Sequence, residues 1–184
     1  MDILKSLSGG DRRSIGKAEI VVGQILKTPV LFGEVVRGFA HSDPVIRMRC
    51  ADVAEKVSAA RPAWLQRHKQ AVLALASRAQ EKEVRWHVAQ MIPRLKLERG
   101  ERRRAVAWLF KYLADESQIV KTFSMQALFD MSPADAKLRA RVVGILRAAI
   151  KNGGPAQRNR ARKLLKGVGM SAGAARSERA PRWF

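Results

Sequence analysis

Arg85, Trp86 and His87 stand side by side in EVRWHVAQM, residues 83–91. Between them they offer a guanidinium for an oxyanion, an indole for stacking and an imidazole for proton transfer or metal binding. The chemistry each can perform depends on its surroundings. His41, His68 and His87 have no cysteine or carboxylate at metal-ligand spacing, so no metal site and no cofactor is expected. Cys50 is the single cysteine and falls among apolar residues, which suits a small buried group better than a nucleophile. No phosphate-binding glycine loop and no nucleophile elbow occurs. Trp64, Trp108 and Tyr112 recur with aliphatic residues at helical spacing and are expected in the core. That leaves Arg85 as architecture and Trp86 as the residue of interest.

The elements that position them are helices. Alternating β-branched runs and Asn-Gly or Asp-Gly hairpins are missing, while period-3.6 patterns run through the chain. Ile15, Ala18, Val22, Ile25 and Leu26 share one face, as do Leu138, Val142, Ile145, Leu146, Ala149 and Ile150. Prolines 29, 44, 62, 133 and 155 mark helix starts, with Thr28, Asp43 and Ser132 able to cap them. Pro93 is expected to end or kink its helix. The segments IRMRCADVAEKV, VRWHVAQMIPRL and VKTFSMQALFDM begin at Ile46, Val84 and Val120, spacings of 38 and 36. A degenerate copy, QRNRARKLLK, places Arg158 37 residues after Lys121. A period near 37 with two helices per period describes helical hairpins that bury their apolar faces by stacking.

Within each copy the basic residue is Arg47, Arg85 or Lys121. Counted from it, offsets −1, +3, +4, +6, +7 and +10 form the apolar arc. The basic residue sits at the edge of that arc, so Arg47, Arg85 and Lys121, with Asp43 and Glu81, are expected to form a ladder between repeats. Offsets +1 and +5 point elsewhere and define a groove: Met48 and Asp52, Trp86 and Gln90, Thr122 and Gln126, with Arg94 a turn further on. In that groove Trp86 either stacks on a ligand while Gln90 bonds its backbone, or packs on a neighbour such as Pro93 or Met48.

The copies DPVIRMRCA, EKEVRWHVA and SQIVKTFSM resemble HEAT repeats, over about residues 15–167. The resemblance implies an all-α fold, a right-handed α-solenoid of about four to five hairpins. It further implies an Asp–Arg ladder and a role as a binding scaffold without catalysis. The Trp86-x-x-x-Gln90 spacing is similar to that of armadillo repeats, which hold extended peptides with tryptophan and asparagine; here the amide is a glutamine and the pair occurs once. A second resemblance is to alkylpurine DNA glycosylases built of HEAT-like repeats, which use tryptophans and an aspartate. Asp52 and Trp86 would supply one of each, and a second groove tryptophan is lacking.

Charge narrows the choice of partner. The net charge is +20, which draws the chain to polyanions. From Lys137 onward there are 13 basic residues and one acid, against 16 and 9 between Asp43 and Glu116. The basic end is assigned to Arg158, Arg160, Arg162, Lys163 and Lys166. The runs ERRRA (101–105) and KLRAR (137–141) fall on the other helix of each pair, away from the groove. The expectation is an acidic protein partner in the groove, with nucleic acid as the alternative and no small-molecule substrate. No apolar run reaches the roughly 18 residues of a membrane span, and the N-terminus lacks the order of a secretory signal, so a cytoplasmic protein is expected. Residues 1–14 are expected to be flexible, and residues 168–184 to be a disordered basic tail.

Overall fold

The computed structural model describes residues 2–11 and 14–177. These form eleven α-helices and no strand. A first row consists of α2 (Ala18–Lys27), α4 (Pro44–Ala60), α7 (Lys82–Met91), α9 (Gln118–Asp130) and α11 (Pro155–Ser177). Each packs against the next in that order. The segments between them return along a second layer: α3 (Phe32–Arg37), α5 (Pro62–Gln66) with α6 (Lys69–Arg78), α8 (Arg99–Tyr112) and α10 (Ala136–Asn152). A short α1 (Ile3–Ser6) precedes them.

Local chemistry sets the boundaries. Asp43 caps α4 by accepting from the Val45 N–H at 2.8 Å, with Pro44 at the first helical position. Ser117 caps α9, and its own N–H is held by Asp115 at 2.8 Å. Asp135, not Ser132, caps α10 through the Leu138 N–H at 3.0 Å. Ser132 instead donates back to the Phe129 carbonyl, and Pro133 lies in the turn ahead of the helix. Thr28 precedes a 3₁₀ turn without a side-chain cap bond. Pro93 lies in the 3₁₀ turn Ile92–Arg94 that ends α7.

The apolar arc is buried on α4 and α7, whereas on the face expected for α2 Ala18 and Ile25 are buried, Val22 is half-buried, and Ile15 and Leu26 are exposed. Ile46, Cys50, Ala51, Val53, Ala54 and Val57 on α4 are buried, as are Val84, Val88, Ala89, Met91, Ile92 and Leu95 in and after α7. Burial pushes the Cys50 thiol up to about 12, so it stays protonated and unreactive. In the second layer Tyr112 is buried and donates to the Ala76 carbonyl at 2.7 Å, while Trp64 and Trp108 are half-buried at the core margin.

In the N-terminal segment, residues 2–11 pack against the rest of the fold. Ile3 and Leu7 are fully buried, each contributing roughly 1.5–3 kcal/mol of transfer energy. Arg49, only 2% exposed, anchors the loop that follows. Its guanidinium donates to the carbonyls of Leu7 (2.9 Å), Ser8 (3.2 Å), Gly9 (2.6 Å), Asp11 (3.2 Å) and Ser14 (3.1 Å). Carbonyl oxygens replace the water that a buried cation would otherwise lose. Gly16 allows the wrap: its φ is +55°, and a Cβ there would lie 2.8 Å from Arg49 Cζ. At the other end α11 continues to Ser177, past residue 167 where structure was expected to cease. Residues 178–184 of the expected tail lie outside the described residues.

Candidate binding surface on the first row

Polar bonds cross from each hairpin to the next. Arg47 pairs with Glu81 and also donates to the His41 and Ser42 carbonyls at 2.7 and 2.8 Å. Arg85 pairs with Asp115 at 2.5 Å and donates to the Gln80 carbonyl. Asp43 is an N-cap and makes no ion pair among the described residues. Lys121 also makes none: the turn ahead of α11 holds Gly153 and Gly154 where the earlier copies carry an acid. In the second layer Arg102 of α8 meets Asp135 at 3.1 Å. Lys69 and Gln70 of α6 hold Glu101 of α8 at 2.7 and 2.8 Å. The Lys69 bond and the Glu98 N–H keep the Glu101 carboxyl down at about 2.

The groove drawn from offsets +1 and +5 is only partly open. Met48, Asp52 and Thr122 are buried, which removes them from any open groove. The reason is that α4 and α9, which carry them, each have a row helix on both edges. On α4, ten residues around nearly the whole circumference are covered. Thr122 turns its hydroxyl onto the Gln118 carbonyl at 2.7 Å. Arg94 is a tie between hairpins: it binds Glu55 Oε1 at 2.5 Å, the Glu55 carbonyl at 2.6 Å and Ser58 Oγ at 2.7 Å.

Asp52 belongs to a chain of side chains running across three helices. Glu19 of α2 meets Lys56 of α4 at 2.5 Å, and Lys56 meets Asp52 at 2.9 Å. The other Asp52 oxygen lies 3.7 Å from His87 Nε2 on α7. His87 touches Trp86 edge-on, ring centres 5.2 Å apart. Burial, aided by the Lys56 charge, drives the His87 imidazole down to about 3, so it is neutral at pH 7. Burial raises the Asp52 carboxyl, opposed by its bond to Lys56. Burial pulls the Lys56 ammonium down, but its bonds to Glu19 and Asp52 outweigh that and raise it. The approach of Asp52 to Trp86 therefore runs through a neutral imidazole, and the carboxylate is already engaged by an ammonium.

On the far side of α7 a second chain forms. Gln126 of α9 donates to Asp130 at 2.8 Å and accepts from Arg160 of α11 at 2.7 Å. The Arg160 guanidinium also stands 5.8 Å from the Phe123 ring centre. Between the two chains lie Trp86 and Gln90, both half-buried. Gln90 makes one long bond, 3.4 Å, to the Trp86 carbonyl. The Trp86 indole N–H donates to no described residue. At the basic end, Arg158 and Arg160 are half-buried, whereas Arg162, Lys163 and Lys166 are exposed.

Phe123, Glu19, Glu55 and Arg49 carry no expectation from the sequence; His87 is weighed there only as a metal ligand, and Lys56 is expected with Arg94 a turn beyond the groove residues. A usable signal existed for some. Glu19 and Lys56 are 37 residues apart, Glu55 and Arg94 39, so complementary charges one period apart mark inter-hairpin bonds. Comparison of the chain with family models, with curated proteins and with solved structures finds no match.

Proposed function

We propose that the chain is a non-enzymatic HEAT-like scaffold, a right-handed α-solenoid whose first row forms the concave face and binds an extended segment of a protein partner. The row order α2–α4–α7–α9–α11 and the cross-hairpin bonds at about one period support the stacking. The single observation carrying the function is the break in side-chain bonding at Trp86 and Gln90. On one side Glu19, Lys56 and Asp52 pair, and on the other Asp130, Gln126 and Arg160; at the break the buried Nδ1 of His87 has no partner among the described residues, and an indole N–H and most of an amide remain unused beside a large apolar ring. An aromatic plane next to an amide suits a peptide backbone, and tryptophan is enriched at binding hot spots. Gln126 and Phe123 flank the opening from α9. The charge of +20 and the exposed Arg162, Lys163 and Lys166 favour an acidic partner through steering. The lone, buried Cys50 is in keeping with a cytoplasmic setting, and no described helix is long and apolar enough to cross a membrane.

Affinity capture from nuclease-treated extract tests the reading. Trp86→Ala and Gln90→Ala are expected to lower the yield of a captured protein about tenfold or more, with unchanged helicity by circular dichroism. Full yield with both variants overturns it.

A further inference from the structure

A different surface carries a second assignment. In the second layer a groove of about 630 Å³ separates α8 from α10. Its floor is apolar, formed by Val106, Phe110 and Leu138. Its walls carry Arg99, Arg102, Arg103, Lys137 and Arg141 against one carboxylate, Asp135. Asp135 is already committed to Arg102 and to the α10 N-terminus. Arg99, Arg103, Lys137 and Arg141 are exposed and make no ion pair among the described residues. Arg141 lies over the Phe110 ring with its guanidinium carbon 3.8 Å from the ring centre. That contact holds a planar cation at the groove wall.

The charge continues beyond the groove. The exposed positions of α10 include Lys137, Ala140, Arg141, Gly144, Arg147, Ala148 and Lys151. At 100° per residue these fall within one arc of about 120°. The helix contains no acid, and only small residues lie between the cations. A Cβ at Gly144 would meet nothing within 4 Å, so the strip is unobstructed. From Lys137 to Lys151 it extends about 21 Å, with its paired cations about 6 Å apart along the axis.

We propose that this groove and the cationic face of α10 bind single-stranded nucleic acid, with phosphates along Lys137, Arg141, Arg147 and Lys151 and a base lodged against the Arg141–Phe110 stack. Regularly placed cations without intervening acids suit a polyphosphate backbone. The apolar floor and the guanidinium plane suit an unpaired base, whose faces are exposed as those of a duplex are not. The site lies on the layer opposite Trp86 and does not depend on the protein-binding reading.

Fluorescence anisotropy of a labelled 12-nucleotide oligothymidylate with the full chain tests it. The expected log–log salt slope is about −3, four phosphates at roughly −0.7 each. Lys137→Glu with Arg141→Glu is expected to weaken binding by ~30-fold or more. Lys17→Glu with Lys82→Glu, the same charge change at exposed sites elsewhere, is expected to cost less than ~3-fold. Arg141→Lys keeps the charge but loses the plane, and an additional ~5-fold loss is expected. All variants are first shown to keep the wild-type melting profile. No binding by the wild type in ~50 mM salt, or equal losses for both double variants, overturns the proposal. Unchanged affinity of Arg141→Lys overturns the placement of a base in the groove. Displacement of the oligonucleotide by polyglutamate of matched charge, as effectively as by unlabelled oligonucleotide, overturns it in favour of an acidic protein segment.

Discussion

Helices α4 and α10 are each 17 residues long and are used in opposite ways. On α4 ten residues are buried, among them Arg49 and Asp52. On α10 only Leu138, Val142 and Leu146 are buried. The former is packed between α2 and α7 and backed by α3 and α5; the latter rests on α9 and α11. Arginine consequently does two jobs. Arg47 and Arg49 of α4 bind carbonyls and carboxylates of other segments. Arg141 and Arg147 of α10 face solvent. The net charge of +20 is therefore divided between internal ties and open cations, the latter including the α10 strip and Arg162, Lys163 and Lys166 of α11, and only the open ones are available to a partner.

The contrast is most sharply broken at arginine. Arg49→Met leaves five carbonyls, that of Leu7 buried and the others partly so, without their donor, and a loss of about 3 kcal/mol is expected in urea unfolding. Residues 2–11 should become accessible to protease in the same variant. Arg141→Met on α10 should change stability by less than ~0.5 kcal/mol. Similar losses for the two would erase the distinction. Glycine gives the next largest effect. A Cβ on Gly38 would collide with Cys50 Sγ and come within 2.8 Å of Leu4 Cδ2. Gly38→Ala is expected to destabilise by about 1–3 kcal/mol through overpacking.

The pH response sharpens the comparison further, because His87 lies against α4 while α10 has no acid or histidine. The folded-state imidazole is depressed to about 3 from an ordinary value of 6.5. Below pH 6.5 the unfolded chain takes up a proton that the folded chain refuses. Stability is thus fully present above that pH and falls as pH drops toward 3. His68, also lowered by burial and the Arg67 charge, adds in the same direction. Asp52, raised in the fold, acts in the opposite sense in the acid range. Relative to wild type, His87→Gln should remove about 1 kcal/mol of the decline between pH 6.5 and 5.5. Parallel urea midpoints for both proteins across that interval would show the imidazole to be uninvolved. The smallest effect, with the reverse sign, belongs to α10: Gly144→Ala meets open space and should stabilise by about 0.5–1 kcal/mol from helix propensity alone. A fall in melting temperature would mean that this face is not open.

Much of the core was legible because it depends only on period. Offsets −1, +3, +4, +6, +7 and +10 give Val120, Ser124, Met125, Ala127 and Leu128 on α9, all buried, with Met131 half-buried at the margin. The groove was not legible at the same level. Met48 and Trp86 share offset +1, yet Met48 is 5% exposed and Trp86 only half-buried. What decides is the side chain that the neighbouring helix presents, and no count along one helix contains it. Similarly, Arg102 and Arg103 are adjacent in a basic run, but Asp135 engages only the first.

By itself the amino-acid order determined that the chain is helical, where most helices start, and which stripe of each is apolar. These follow from backbone geometry and capping, which act over a few residues. Only the tertiary structure decided which charges are ties and which are free. Burial of Arg49 needs acceptors from residues 7–14, backbone carbonyls brought to it by a glycine-bearing loop in which no side-chain pattern marks them. Exposure of Arg141 likewise follows from the lack of a packed neighbour over that face of α10. Solvent access belongs to an assembly of segments, and the fate of a charge is set by that access.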